Sequence, residues 1–143
     1  MKFLPVVNAS QSPKIRINKK KVQLQQRTFN FALSVPADSV DKVEASLSDH
    51  AKWMRETHSY DDSKIQLVNY YVSKAHELVN IADPTQGTTG RVLYSINEVY
   101  VMAEGIDQHM AAGQSWKNFQ SFVGTITEFG SVLIANGEVI ETL

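Results

Sequence analysis

The chain has 143 residues, 43% of them apolar, and a net charge of −1, which fits one soluble domain of ordinary size. It contains no cysteine, so disulfide scaffolding, thiolate zinc sites, iron–sulfur clusters and cysteine nucleophiles are excluded. The apolar residues 3–7 are interrupted by Pro5 and are too few for a secretory signal or a membrane span, so we expect a cytoplasmic protein with no membrane partner.

The charge is distributed unevenly along the chain. The first 37 residues carry seven basic and no acidic side chains, whereas the remainder carries seven basic and fifteen acidic ones. Such a basic segment is typical of binding to nucleic acid or anionic lipid. However, residues 14–27 contain no aromatic side chain for base stacking, and their apolar residues alternate as in a strand. We therefore expect residues 1–27 to be an N-terminal extension, partly flexible or added to the sheet as a strand, and we expect no nucleic-acid partner.

Residues 28–143 predict strands and helices in the order β-α-β-β-α-β. An alternating strand over residues 28–35 ends at Pro36, an amphipathic helix runs from Asp38 to about residue 57, and strands follow at 65–72 and 91–101. The intervening residues 74–90 are rich in turn formers and predict an irregular loop. A helical turn at 104–110, a helix over 116–130, a strand at 132–134 and a turn or bulge at Asn136-Gly137 complete the pattern.

This order predicts an α+β fold, namely a ferredoxin-like domain over residues 28–143 with an antiparallel sheet. Helices would cover one face of such a sheet and leave the other bare, to be covered by a second copy of the chain. In the third strand, Glu98 would lie on the same side as Tyr94 and Tyr100, among aromatic side chains.

Several short stretches carry a resemblance to a known family. Glu98-Val99-Tyr100 followed by Gly105-Ile106-Asp107-Gln108-His109, after two strands and a long helix, resembles the dimeric α+β barrel proteins related to the antibiotic biosynthesis monooxygenases. Residues 52–58, 71–74, 77–80 and 83–84 are similar to an uncharacterised bacterial branch of that superfamily. The resemblance implies a homodimer with facing sheets and a pocket between sheet and helices. Its members include cofactor-free oxygenases, haem-degrading enzymes and proteins with no known reaction.

A cofactor-independent oxygenase needs a dry aromatic pocket and polar groups that stabilise an anionic substrate. We expect His50 to act as a base, and Asn69 and Asn97 to donate hydrogen bonds to a phenolic oxygen of a small aromatic or hydrophobic ligand. The further ligand-binding candidates are Trp53, Tyr71, Tyr94, Glu98 and His109. The alternative for each residue is an ordinary structural role, in which aromatics fill the core and Glu98 and His109 pair to fix a turn.

The spacing of the four histidines predicts no metal site. Positions 50, 58, 76 and 109 form neither an i, i+4 pair nor a His-Glu-x-x-His motif. Along an unbroken helix His50 and His58 would be about 12 Å apart, too far to share one ion unless the helix end unwinds. We expect no metal and no other cofactor. Whether the protein is an enzyme stays open, the alternative being a non-catalytic dimeric interaction module.

Overall fold

The structure, a computed structural model, describes residues 21–143, so most of the predicted extension over residues 1–27 lies outside the described residues. The described chain forms five strands and three helices. The strands are β1 (Arg27–Val35), β2 (His58–Ser59), β3 (Ile65–Leu78), β4 (Thr88–Tyr100) and β5 (Gly130–Glu138), and the helices are α1 (Val40–Thr57), α2 (Glu104–Gln114) and α3 (Phe119–Phe129). None of the helices in this part of the chain is long and apolar enough to cross a membrane.

The strands form one open sheet in the order β2-β3-β4-β1-β5. The pairs β3–β4, β4–β1 and β1–β5 are antiparallel, whereas β2 pairs with β3 in parallel. The predicted α+β class is therefore confirmed, and the open sheet fits a ferredoxin-like class. The expectation of an entirely antiparallel sheet was wrong, because the two residues that follow α1 add a short parallel edge.

Apolar side chains on one face of the sheet form the core. Phe31 and Leu33 of β1 are buried with Ile96 of β4, and Val43 and Leu47 of α1 pack against them. Each such side chain contributes roughly 1.5–3 kcal/mol when it is removed from water. Since neighbouring strand residues point to opposite faces, the alternation that predicted β1 and β4 also determines which side the helices cover.

The loop predicted over residues 74–90 is shorter than expected and covers only residues 79–87. Strand β3 continues to Leu78 and β4 already begins at Thr88, so most of this segment is a β-hairpin. Its tip is a 3₁₀ turn in which the Asp83 carboxylate accepts a hydrogen bond from the Thr85 amide at 3.1 Å. Most side chains of this hairpin are exposed on both faces. Its sequence therefore lacks the alternation of apolar and polar residues by which a half-buried strand is predicted.

The C-terminal part also departs from the prediction. The helical turn predicted at residues 104–110 is the beginning of α2, and the helix predicted over 116–130 begins only at Phe119, after a turn. Strand β5 is longer than the predicted residues 132–134. Asn136 has a φ of 53°, and the pairing with β1 shifts register beside it, which confirms the predicted bulge.

Candidate functional site: a buried cluster of histidines and a glutamate

Four titratable side chains meet beneath the helices, and we call them the buried cluster: His50, His58, Glu98 and His109. Glu98 lies on β4 and is fully buried, while α1 supplies His50 and α2 supplies His109. His50 follows Val43 and Leu47 on the buried face of α1, and this helical spacing directs its ring at the sheet.

The Glu98 carboxylate is the centre of the cluster. His50 Nε2 lies 3.8 Å from Glu98 Oε1, and His109 Nε2 lies 3.7 Å from Glu98 Oε2, both beyond hydrogen-bonding distance. The Tyr100 hydroxyl donates a hydrogen bond of 3.2 Å to Oε2. Glu98 Oε1 has no hydrogen-bond partner among residues 21–143. An isolated buried carboxylate oxygen is costly, so its presence here needs a physical reason.

His58 joins the cluster because α1 ends immediately before it. Its backbone is extended, with φ of −121° and ψ of 160°, so the chain leaves the helix axis at this residue. The Thr57 hydroxyl donates to the Trp53 carbonyl at 2.8 Å, and its oxygen lies 2.7 Å from His58 Nδ1. His58 Nε2 then contacts His109 Nδ1 at 3.1 Å. The separation of about 12 Å between His50 and His58 assumed one unbroken helix. Because α1 ends at Thr57, that assumption does not hold.

Burial holds the cluster in its uncharged forms. It lowers the pKa of His50 to about 3, with help from the neighbouring imidazoles of His109 and His58. It likewise lowers the pKa of His58 to about 3, with help from His109, and that of His109 to about 4. Burial also raises the pKa of Glu98 to about 8, against the opposing hydrogen bond from Tyr100. Shifted groups of this kind concentrate at functional sites.

The cluster lies between two pockets. An apolar pocket of about 100 Å³ is lined by both His50 and His109, together with aromatic side chains that include Trp53 and Phe122. The rings of His50 and Phe122 stack in parallel at 4.2 Å. A second pocket, of about 210 Å³, is lined by residues that include His58. Both imidazoles that face Glu98 therefore also belong to the wall of the first pocket.

The structure brings together four of the residues nominated from the sequence. His50, Trp53, Glu98 and His109 lie around one site, and the position of Glu98 among aromatic side chains is as predicted. Glu98 and His109 are neighbours at 3.7 Å, which is too long for the hydrogen bond that a structural pair would form.

The other four nominated residues lie elsewhere. Tyr94 is on the same sheet face but points toward the far end of α1, where its hydroxyl donates to Glu44 Oε1 at 2.8 Å. Asn97 and its partner Tyr71 alternate with Glu98 and therefore point to the opposite face of the sheet, as does Asn69. Asn69, Tyr71 and Asn97 line neither of the two pockets beside the cluster.

Sequence reasoning missed three members of the site. Tyr100 follows Glu98 by two residues, so the alternation of β4 already placed its ring on this face. Tyr70 was assigned no role because a register shift between Leu67 and Asn69 changes which β3 side chains face the helices. Its hydroxyl lies 3.2 Å from His50 Nδ1. His58 was missed because its position depends on where α1 ends.

No protein-family model matches this chain, and a search among curated proteins finds no similar sequence. The function is therefore inferred from the geometry of the site.

Proposed function

We propose that the protein binds a small, mainly apolar molecule in the aromatic pocket and acts on it with the buried cluster. One observation supports this most strongly: His50 and His109 belong both to the pocket wall and to the cluster around Glu98. An apolar pocket with a few convergent polar groups is the usual form of a small-molecule site. The two imidazoles are the polar part of the pocket wall, at which a substrate can be oriented, and Glu98 lies behind them.

The pocket limits the size of the ligand. Its volume of about 100 Å³ is below the roughly 150 Å³ of an engineered apolar cavity that binds benzene, so a single ring fits only if the side chains that line the pocket move. Met110 and Val123 line it and are 38% and 37% exposed, which places them at its mouth, where side-chain rotation admits a larger ligand. Phenols and hydroquinones combine a flat ring with a polar group that the imidazoles can bind.

The resemblance noted in the sequence extends the proposal to a reaction and an assembly. The reaction is oxygenation of an electron-rich aromatic ligand, as in the monooxygenase-like proteins. The assembly is a homodimer of ferredoxin-like β-α-β-β-α-β domains that closes into an α+β barrel. The sheet face opposite the helices supports this part, since it exposes 54% of Tyr71, 55% of Val132 and 47% of Ile134.

Ligand binding is tested by thermal unfolding with phenol, hydroquinone and benzoate. A ligand at 100 times its dissociation constant stabilises the native state by about 2.7 kcal/mol, so the melting temperature rises and saturates. Val123→Phe fills the pocket mouth and removes this rise. Val79→Phe introduces the same ring in the exposed β3–β4 connection and leaves the rise intact. If no compound gives a saturable rise, or if Val123→Phe retains it, the pocket is not the binding site.

The reaction is tested separately by oxygen consumption with those compounds that bind. Uptake by the wild type that Val123→Phe abolishes supports oxygenation, whereas binding without uptake refutes the reaction and leaves the ligand site. The second candidate function is a non-catalytic dimeric module, which the exposed apolar sheet face favours. It predicts a dimer in solution and neither ligand binding nor oxygen uptake.

A further inference from the structure

The side chains around Glu98 fix the protonation of one imidazole. The single Thr57 hydroxyl proton is donated to the Trp53 carbonyl, so the Thr57 oxygen accepts from His58 Nδ1, which must carry a proton. In a ring that carries only this proton, His58 Nε2 is an acceptor, and the 3.1 Å contact then places a proton on His109 Nδ1. A His109 ring with its one proton on Nδ1 presents the lone pair of Nε2 toward Glu98.

Two imidazole nitrogens thus face the Glu98 carboxyl group without a hydrogen bond to it. The lone pair of His109 Nε2 and the Glu98 carboxylate lie 3.7 Å apart in a buried site. His50 Nε2 approaches the other carboxylate oxygen at 3.8 Å, and that oxygen, Oε1, has no hydrogen-bond partner among the described residues. Buried polar groups that are not hydrogen-bonded to one another are costly, and an ion bound between them would satisfy their lone pairs.

We propose that His50, Glu98 and His109 bind one divalent first-row transition-metal ion. Their ligand atoms all lie within 4.8 Å of one another. Bonds of about 2.0–2.2 Å to a common ion separate ligand atoms by roughly 3–4 Å, which matches the observed 3.7 and 3.8 Å. Two imidazoles and one carboxylate on one side of an ion leave coordination positions open, as in sites selective for ferrous iron, zinc or cobalt rather than magnesium or calcium.

The surrounding side chains have the positions that metal-site supports occupy. Histidine ligands usually engage their second ring nitrogen in a hydrogen bond that orients the ring. Here His50 Nδ1 meets the Tyr70 hydroxyl at 3.2 Å, and His109 Nδ1 meets His58. The Tyr100 hydroxyl holds the Glu98 carboxylate through Oε2. His58 is accordingly a positioning residue, not a ligand.

The metal site goes beyond the proposed function, because it concerns an ion and not the organic ligand. Two of the proposed ligands, His50 and His109, also line the aromatic pocket. A bound ion would thus be in reach of a molecule in that pocket, which would make the protein metal-dependent, contrary to the cofactor-free activity that the resemblance implies.

The test is titration of the chelator-treated full-length protein with cobalt(II) and zinc(II), followed by calorimetry and, for cobalt, by visible absorption. We expect one ion per chain and the intense absorption of a low-symmetry cobalt site. Glu98→Gln and His109→Gln are expected to weaken binding by more than about 100-fold, and His58→Gln by about 10- to 100-fold. His76→Gln, at an exposed histidine on β3, is the matched control and is expected to bind as the wild type does.

Absence of saturable binding to the wild type overturns the proposal, and this result does not depend on any variant folding. Binding that survives in folded Glu98→Gln, or that is lost in His76→Gln, also overturns it. An unchanged affinity in His58→Gln refutes the role of His58 in orienting the His109 ring. The thermal rise with phenols is measured in the chelated protein, so failure of the ion site and failure of the organic ligand site are separate results.

Discussion

Replacement of Gly105 by alanine is expected to destabilise the protein, because α2 approaches β4 too closely for a side chain there. An added Cβ would lie 2.6 Å from Tyr100 Cδ1 and 3.1 Å from Tyr100 Cβ and Cγ. Tyr100 is fully buried and cannot move away. Overpacking of this kind costs about 1–3 kcal/mol. The helix propensity gained by alanine offsets at most about 1 kcal/mol, so we expect a net loss of about 1–2 kcal/mol.

Gly124→Ala is the matched control, since it makes the same substitution in α3. No atom lies within 4 Å of the added Cβ, so only the helix propensity changes, and a gain of about 0.5–1 kcal/mol is expected. The two variants should therefore differ by about 2 kcal/mol in urea unfolding, or roughly 8 °C in melting temperature. If Gly105→Ala is as stable as Gly124→Ala, then the close packing of α2 on Tyr100, which places His109 beside Glu98, is refuted.

Three further predictions concern the surface and the assembly. Hydrogen bonds from Lys74 and Tyr94 hold the pKa of Glu44 below its usual value of 4.5, so its stabilising effect is present above that pH and is lost as the pH falls through the lowered pKa. Urea midpoints of wild type and Glu44→Gln should differ at neutral pH and converge in acid, and a difference that persists in acid contradicts this. Arg91 donates two hydrogen bonds of 2.9 Å to β1, so Arg91→Ala should lower the free energy of unfolding by about 1 kcal/mol, and an unchanged urea midpoint would show that they contribute nothing. Sedimentation of the wild type should show a dimer that Ile134→Lys dissociates, whereas a monomeric wild type eliminates the barrel.

The parts of the fold that the sequence predicts are those in which one face is buried. In β1 and β4 the apolar residues recur at every second position, and in α1 they recur every three or four residues. Each element has this spacing because it packs one side against the core. The outer half of the β3–β4 hairpin has solvent on both faces, so its sequence contains no such alternation and reads as a loop. The break before Phe119 follows from local turn hydrogen bonds, which leave little trace in an apolar pattern.

In the site, too, the sequence predicts what one element determines and does not predict which elements meet. The position of Glu98 on the inner face follows from alternation within a single strand. Its contact with His50 and His109 depends on how α1 and α2 cross the sheet. Sequence motifs such as an i, i+4 histidine pair detect only ligands that lie on the same helix, and these three residues lie on three different elements. The inclusion of His58 depends on the exact residue at which α1 ends, which is the least predictable property of a helix.

The interior place of β1, between β4 and β5, has a consequence for the order of folding. Its neighbours are β4 and β5, so Thr28 pairs with Val99 and with Gly137, both far along the chain. Contacts of such large sequence separation slow folding, typically to milliseconds or seconds. During synthesis β1 leaves the ribosome before β4 and β5, so the two edges that these strands occupy wait for them. The nascent chain therefore carries an open edge on β1 until β5 is made, the condition under which chaperones protect a chain from aggregation.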